Sequence, residues 1–469
     1  MYRAALILLL FTSHVLGDTL QVEFSGDRTV TGNLVVVLSP EKFRAPYPGL
    51  MNVYSGQVLV KSGLRMEPGT SATFELPVGV DINRWYAGAY LDENRNFMWR
   101  GLPDGGEFFS AELVQLTSKP KRLVLNQQYA ERLRKPPPWI HEQSFVSSVM
   151  LEEGFSREHS TLRFLVGLPP GYWQSDETYP VVYVSHGFNG DRWTYIKRYK
   201  MWRNQMESEP MILISLDSHG LFGHHLFLNS EANGSRMDVF TKELVPYIDK
   251  RFRTNGKRIV YGQSSGGWTA VSLLRRAPDL VSAAVATGPD PLQLDNWWMD
   301  ESKNLYTNAD GTTRNLIPSV GLSMKDFVDM EIQTQSFGQF AGFLAAFSPY
   351  RPEKEGLPFE SPFDLETGEL REHIWQQWKE NDMGAWSRSH PTLAKEAFAD
   401  RLVLIVGDED EFGLYQTTLD FSATLDSLKI PHRLKVVEGA GHSNYLEEPE
   451  FAAECWSLFY KLAGPTGHR

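Results

Sequence analysis

The chain has 469 residues, of which 42% are apolar and 22% charged, and a formal net charge of -12. That length exceeds what one hydrophobic core usually serves, and the composition is that of a folded globular protein, which excludes a disordered or coiled-coil chain. The acidic balance, with no run of Lys or Arg, argues against nucleic acid as a partner and against a membrane-surface patch.

Residues 1–17 read as an export signal: Arg3 gives a positive start, Ala4 to Phe11 form a short apolar run, and Val15 and Gly17 are small enough for a cleavage site. About eight apolar residues fall far short of the roughly 20 that span a bilayer. No later segment approaches that length, so the mature protein is expected to be secreted or periplasmic, with no membrane span. The single cysteine, Cys455, excludes an intrachain disulfide and sits in an apolar helical pattern, which makes it a core residue.

Residues 18–118 read as a small β-sandwich-like domain, with Val- and Leu-rich runs such as Asn33 to Leu38 and Gln57 to Lys61 separated by Gly, Pro, Asn and Asp. Asp92, Asn94 and Asn96 have the alternate spacing of a calcium loop, but Pro103 stands where such a loop needs its bidentate Glu. A polar hairpin turn is expected instead. Residues 119–139 turn basic and polar and end in Pro136, Pro137 and Pro138, as a linker does.

From residue 140 to 469, strand-like runs alternate with helix-like ones. The strands are expected at Arg163 to Leu168, Val181 to Ser185, Met211 to Leu216, Arg258 to Tyr261, Ala283 to Thr287, Leu402 to Val406 and Arg433 to Val437. Amphipathic stretches lie at Asp238 to Arg253, Gly267 to Ala277 and Gln416 to Leu428. Such alternation predicts an α/β domain with a mostly parallel sheet covered by helices. An insert at about 290–398 interrupts it, and an excursion of that length usually carries function as a lid or binding element.

Gly262-Gln263-Ser264-Ser265-Gly266 follows an apolar strand and precedes a helix-like run. This is the context of a nucleophile elbow, whose tight turn demands small residues around an exposed serine. The Ser265 N–H, at a helix N-terminus, would then face an oxyanion. A serine hydroxyl is a poor nucleophile at neutral pH, so a histidine must take its proton and a carboxylate must orient that histidine. After Leu402 to Val406 come Asp408, Glu409, Asp410 and Glu411, and after Arg433 to Val437 comes the glycine-rich loop bearing His442. The order serine, acid, histidine is that of α/β-hydrolases, with Asp410 the favoured acid and Asp408 the alternative. The loop His186-Gly187-Phe188-Asn189-Gly190 follows the strand Val181 to Ser185, and its Phe188 N–H would be the second oxyanion donor.

These residues resemble the Putative esterase family of α/β-hydrolases, the group of esterase D, enterochelin esterases, feruloyl esterases and mycolyltransferases. The match runs over about residues 140 to 462, on Leu168-Pro-Pro-Gly-Tyr172, Tyr179-Pro-Val-Val-Tyr-Val-Ser-His-Gly187, Asn229-Ser-Glu-Ala-Asn233-Gly234, Glu243-Leu-Val-Pro-Tyr-Ile248 and the elbow. In the insert, Phe347-Ser-Pro349 and Asp364-Leu-Glu-Thr-Gly368 look like those of large exported members. The resemblance implies an α/β-hydrolase fold and an ester-cleaving triad of Ser264, Asp410 and His442. Gln263 and Ser265 depart from the His or Met that many relatives carry beside the serine, which bears on the pocket rather than on catalysis.

The expected substrate-binding residues are His186, Gln263, Asn233, Trp297 and Trp298, the two tryptophans suited to stacking on a sugar or aromatic acid unless they are core. Asn233-Gly234-Ser235 is also a formal glycosylation acceptor in a eukaryotic secretory pathway. His224 and His225 are adjacent and lack metal-ligand spacing, so neither metal nor cofactor is expected. The reading is an exported serine esterase acting on a small-molecule or glycan-linked ester. An acyltransferase with the same triad, a serine peptidase and a non-catalytic hydrolase-like binding protein are the alternatives.

Overall fold

The structure, a computed structural model, describes residues 18–43, 53, 55–77, 84–94, 105–117, 121–130, 134–294, 298–318, 321–335 and 337–464. The expected export signal, Asn96, Pro103, Trp297 and parts of the expected linker lie outside the described residues. The chain divides into two compact units, Met1–Asn94 with Leu102–Glu131, and Arg95–Gly101 with Arg132–Arg469.

In the first unit the Val- and Leu-rich runs pair into one continuous eight-stranded sheet. Its strands are antiparallel except where Thr19–Phe24 runs parallel to Arg122–Gln128. Alternation does the sorting: Leu20, Val22 and Phe24 are buried while Thr19 and Gln21 are exposed, so one face of the strand enters a shared core with Leu34, Val36, Leu38 and Leu91.

The second unit is built on an eight-stranded sheet whose strands are, in chain order, β1 (Ile140–Val146), β2 (Thr161–Gly167), β3 (Tyr179–Ser185), β4 (Ile212–Leu216), β5 (Thr254–Gln263), β6 (Ala283–Thr287), β7 (Leu402–Gly407) and β8 (Arg433–Val437). They lie in the order β1-β2-β4-β3-β5-β6-β7-β8. β2 is antiparallel to both its neighbours and every pairing from β4 through β8 is parallel. Every residue of β3, β6 and β7 is buried, which is why these central strands read as unbroken apolar runs. The edge strand β1 carries polar residues in IHEQSFV, and the other edge, β8, interrupts its apolar residues with Arg433 and Lys435, charges that discourage edge-to-edge pairing.

The helices relevant to the site are α1 (Ile196–Gln205), α2 (Ser265–Arg276), α3 (Met324–Thr334), α4 (Gln339–Phe347), α5 (Leu414–Ser427) and α6 (Pro449–Ala463). α1 and α6 pack on the sheet through Tyr199, Trp202, Trp456 and Phe459, with the indoles of Trp202 and Trp456 5.5 Å apart. Cys455 belongs to this cluster and is buried. α3 and α4 lie in the insert between β6 and β7. Residues 340–347 of α4 are buried on every side, matching a sequence that is apolar all round. Because β3 and β5 through β8 are parallel, the loops after them all leave the same edge of the sheet.

Candidate active site

At the end of β5 the chain reverses into α2 through a single residue, Ser264, with φ 56° and ψ -125°. A non-glycine residue there costs on the order of 1–3 kcal/mol, so the surroundings must enforce it. The Ser264 N–H donates to Thr287 O at 3.0 Å, and the Asp290 N–H donates to Ser264 O at 3.2 Å. The flanking glycines leave no room for a side chain: a Cβ on Gly262 would lie 2.1 Å from Gly266 O, and one on Gly266 would lie 2.2 Å from Ser185 O. Both obstacles are backbone and cannot rotate away. Gly266→Ala is therefore expected to destabilise the fold by about 3 kcal/mol or more and to displace the turn. Denaturant unfolding measures this, and a variant as stable as the parent would contradict the packing.

Asp410 and His442 arrive from the loops after β7 and β8. His442 Nδ1 lies 2.8 Å from Asp410 Oδ2, with side-chain exposures of 13% and 0%. A carboxylate can only accept, so Nδ1 carries the proton in this pair and Nε2 is left as the basic nitrogen. The other oxygen of Asp410 accepts from the N–H groups of Phe412 (2.9 Å) and Leu414 (3.3 Å), which fixes the carboxylate. Asp408 is used differently: its Oδ1 accepts the Gly439 N–H at 2.7 Å and ties the two loops together. Glu411 accepts the His442 N–H at 2.8 Å. Burial works against a charged imidazole, but the hydrogen bond and charge of Asp410, with the charges of Asp290 and Glu411, outweigh it and raise His442 above its ordinary value. The ring of Phe412 packs edge-on to His442 at 5.0 Å, at the rim of the site.

The loop after β3 passes directly over the serine. A Cβ on Gly187 would stand 3.0 Å from Ser264 Cβ and 3.7 Å from its Oγ, so only glycine lets the backbone come this close. Phe188 and Ser265, the expected oxyanion donors, line one small pocket together with His224, Leu226, Gln339 and Phe343. His224 supports the loop by donating from Nε2 to His186 O at 2.9 Å.

Three of the expected substrate-binding side chains, those of His186, Gln263 and Trp298, have other partners, while the side-chain amide of buried Asn233 makes no hydrogen bond. His186 is 1% exposed, its Nδ1 meets Gly187 O at 2.8 Å and its Nε2 accepts the Ser218 N–H at 2.9 Å. The Gln263 amide spans from Tyr195 (3.3 Å) to His442 O (3.2 Å), bracing the histidine loop rather than facing the pocket. Asn233 is buried beside Gly220 and Arg236. Trp298 packs against Phe340 and Phe343 of α4, at 5.3 and 5.7 Å.

Sequence reasoning missed Asp290 and Gln339. Asp290, buried on the loop after β6, accepts hydrogen bonds from the hydroxyls of Ser264 (3.2 Å) and Ser265 (2.7 Å) and from the Gln339 amide (3.3 Å). The signal that could have found it is positional: a carboxylate three residues past the strand next to β5 must lie at the serine's end of the sheet. α4 brings Gln339, and its N-terminus is capped by buried Glu331, which accepts from Phe340 (3.0 Å) and Ala341 (2.7 Å) and is pushed up to about 8 by burial.

Among the described residues one cluster has ligand-like spacing, His186, Asp217 and His219. Asp217 is already bound by Arg192 at 2.7 Å, and His186 would have to release Ser218 to reach an ion.

Sheet order, a strained serine between β5 and α2, and an acid–histidine pair from the loops after β7 and β8 define an α/β-hydrolase. Residues 158–456 match the family described as "Putative esterase"; the chain belongs to that family and is by class a carboxylic ester hydrolase. No curated protein sequence matches the chain. Among solved structures it is similar to a ferulic acid esterase, 17% identical over 69% of this chain and 98% of that one, with a TM-score of 0.43. An S-formylglutathione hydrolase from Agrobacterium tumefaciens is 14% identical over 69% and 95%, with a TM-score of 0.45. A feruloyl esterase module from Clostridium thermocellum is 14% identical over 71% and 92%, with a TM-score of 0.39. Among the described residues no helix is long and apolar enough to cross a membrane.

Proposed function

We propose that the protein is an exported serine esterase whose nucleophile is Ser264, whose general base is His442 and whose orienting acid is Asp410. The observation that carries this reading is the 2.8 Å contact between His442 Nδ1 and Asp410 Oδ2 at the sheet edge where Ser264 sits in its strained turn. In the first half-reaction the Ser264 oxygen attacks the ester carbonyl, His442 Nε2 takes its proton, and the N–H groups of Phe188 and Ser265 face the oxyanion. The imidazolium then protonates the departing alcohol. In the second, water attacks the acyl-enzyme with the same histidine as base. On this reading residues 140–469 carry the chemistry, the β unit, whose sheet includes Arg122–Gln128 from the stretch expected to be linker, is an accessory domain, and the ester has a sugar or aromatic component. The test is turnover of short p-nitrophenyl esters beside matched p-nitroanilide amides. Ester cleavage without amide cleavage is expected, and a folded protein that turns over neither contradicts the proposal.

A further inference from the structure

Asp290 is 3% exposed, yet its carboxyl stands among the groups that would react. Oδ1 accepts the Ser264 hydroxyl and Oδ2 accepts both the Ser265 hydroxyl and the Gln339 amide, so donors from the starts of α2 and α4 converge on it. Burying a carboxylate is unfavourable unless such donors compensate, and an apolar side chain would fill the same space without that penalty. Among the described residues the Ser264 hydroxyl hydrogen-bonds to Asp290, while His442 is held from its other side by Asp410.

We infer that Asp290 is a further residue of the reaction centre: it holds the Ser264 hydroxyl in the resting enzyme and stands as a second negative charge for His442 during attack. The inference rests on the assignment of Ser264 and His442 above. When a carbonyl enters, the hydroxyl leaves Asp290 Oδ1 for His442 Nε2. As the Oγ–C bond forms, the proton passes to Nε2 and the carbonyl π pair moves onto oxygen; Asp290 gains no proton. Its charge favours the imidazolium and opposes the oxyanion, so its signature belongs in the pH dependence of the histidine more than in the plateau rate.

His442 is faced by Asp410 and Glu411 from the loop after β7 and by Asp290 from the loop after β6. Asp290 is faced by Ser264 and Ser265, by Gln339 and by His442. Burial raises the Asp290 carboxyl above the ordinary carboxylate range, against the pull of those donors.

The test is kcat/KM for p-nitrophenyl acetate against pH, on the full chain, for the wild type, Asp290→Asn and Gln339→Leu, with folding checked by circular dichroism melts. Asparagine keeps an oxygen for Ser264 and removes the charge. His442 then loses its proton at lower pH, and the acid limb is expected to move down by about half a pH unit or more. Gln339→Leu strips a donor that keeps the carboxylate ionised and is expected to move the limb in the same direction by less. Limbs that coincide with the wild type in both variants overturn the role of Asp290 alone. Should Asp290→Asn fail to fold, Gln339→Leu decides: a downward shift supports the role and an unshifted limb overturns it. A wild type with neither ester turnover nor a fluorophosphonate adduct on Ser264 would overturn the esterase assignment itself, and this proposal with it.

Discussion

Ser264→Ala is expected to lower ester turnover by about 10^6-fold, the scale on which serine hydrolases lose activity when the nucleophile goes. The fold should survive, because the turn is held by backbone hydrogen bonds of Ser264 and Asp290 and by the close approach of Gly262 and Gly266, none of which uses the hydroxyl. Steady-state kinetics beside a thermal melt separate the two quantities. A residual rate above about one per cent would point to another nucleophile. Ser265 is the nearest candidate, its hydroxyl bound to Asp290 at 2.7 Å.

Asp410→Asn comes second, with an expected loss of about 10^4-fold in kcat. Its amide would present either a donor or a weaker acceptor to Nδ1, and the donor orientation favours the tautomer whose Nε2 is already protonated. Asp408→Asn is the control. Asp408 accepts the Gly439 N–H at 2.7 Å, a bond that an asparagine oxygen can also accept, so its effect should stay within about tenfold. Comparable losses from the two variants would mean that the acid had been misassigned.

The parts of this site that depend on local backbone chemistry were legible in the sequence. Gly262 is required by a contact at 2.1 Å with Gly266 O within the turn itself, and Gly266 by one at 2.2 Å with Ser185 O at the end of neighbouring β3, so the pattern around Ser264 carries its own structural reason. The runs that became β3, β6 and β7 were visible because strands covered on both faces must be apolar throughout. β1 was missed because an edge strand with a largely exposed polar sequence gives no such run. His186 and Gln263 are expected from the sequence to contact substrate, but both side chains are spent on bracing loops, His186 on the Ser218 N–H and Gln263 between Tyr195 and His442 O. Asp290 carries no local motif: it lies 26 residues from Ser264 and is legible only through its position after β6, the neighbour of β5. The boundaries of α4 were also beyond reach, since its apolar residues show no amphipathic period when the helix is buried on every side.

The most direct measurement is to treat the folded protein with a fluorophosphonate and map the adduct by peptide mass spectrometry. A single adduct on Ser264, lost in Ser264→Ala and slowed in Asp410→Asn, is the predicted result. An adduct on another residue, or none on protein shown to be folded, would contradict the assignment of Ser264 as the nucleophile of a carboxylic ester hydrolase.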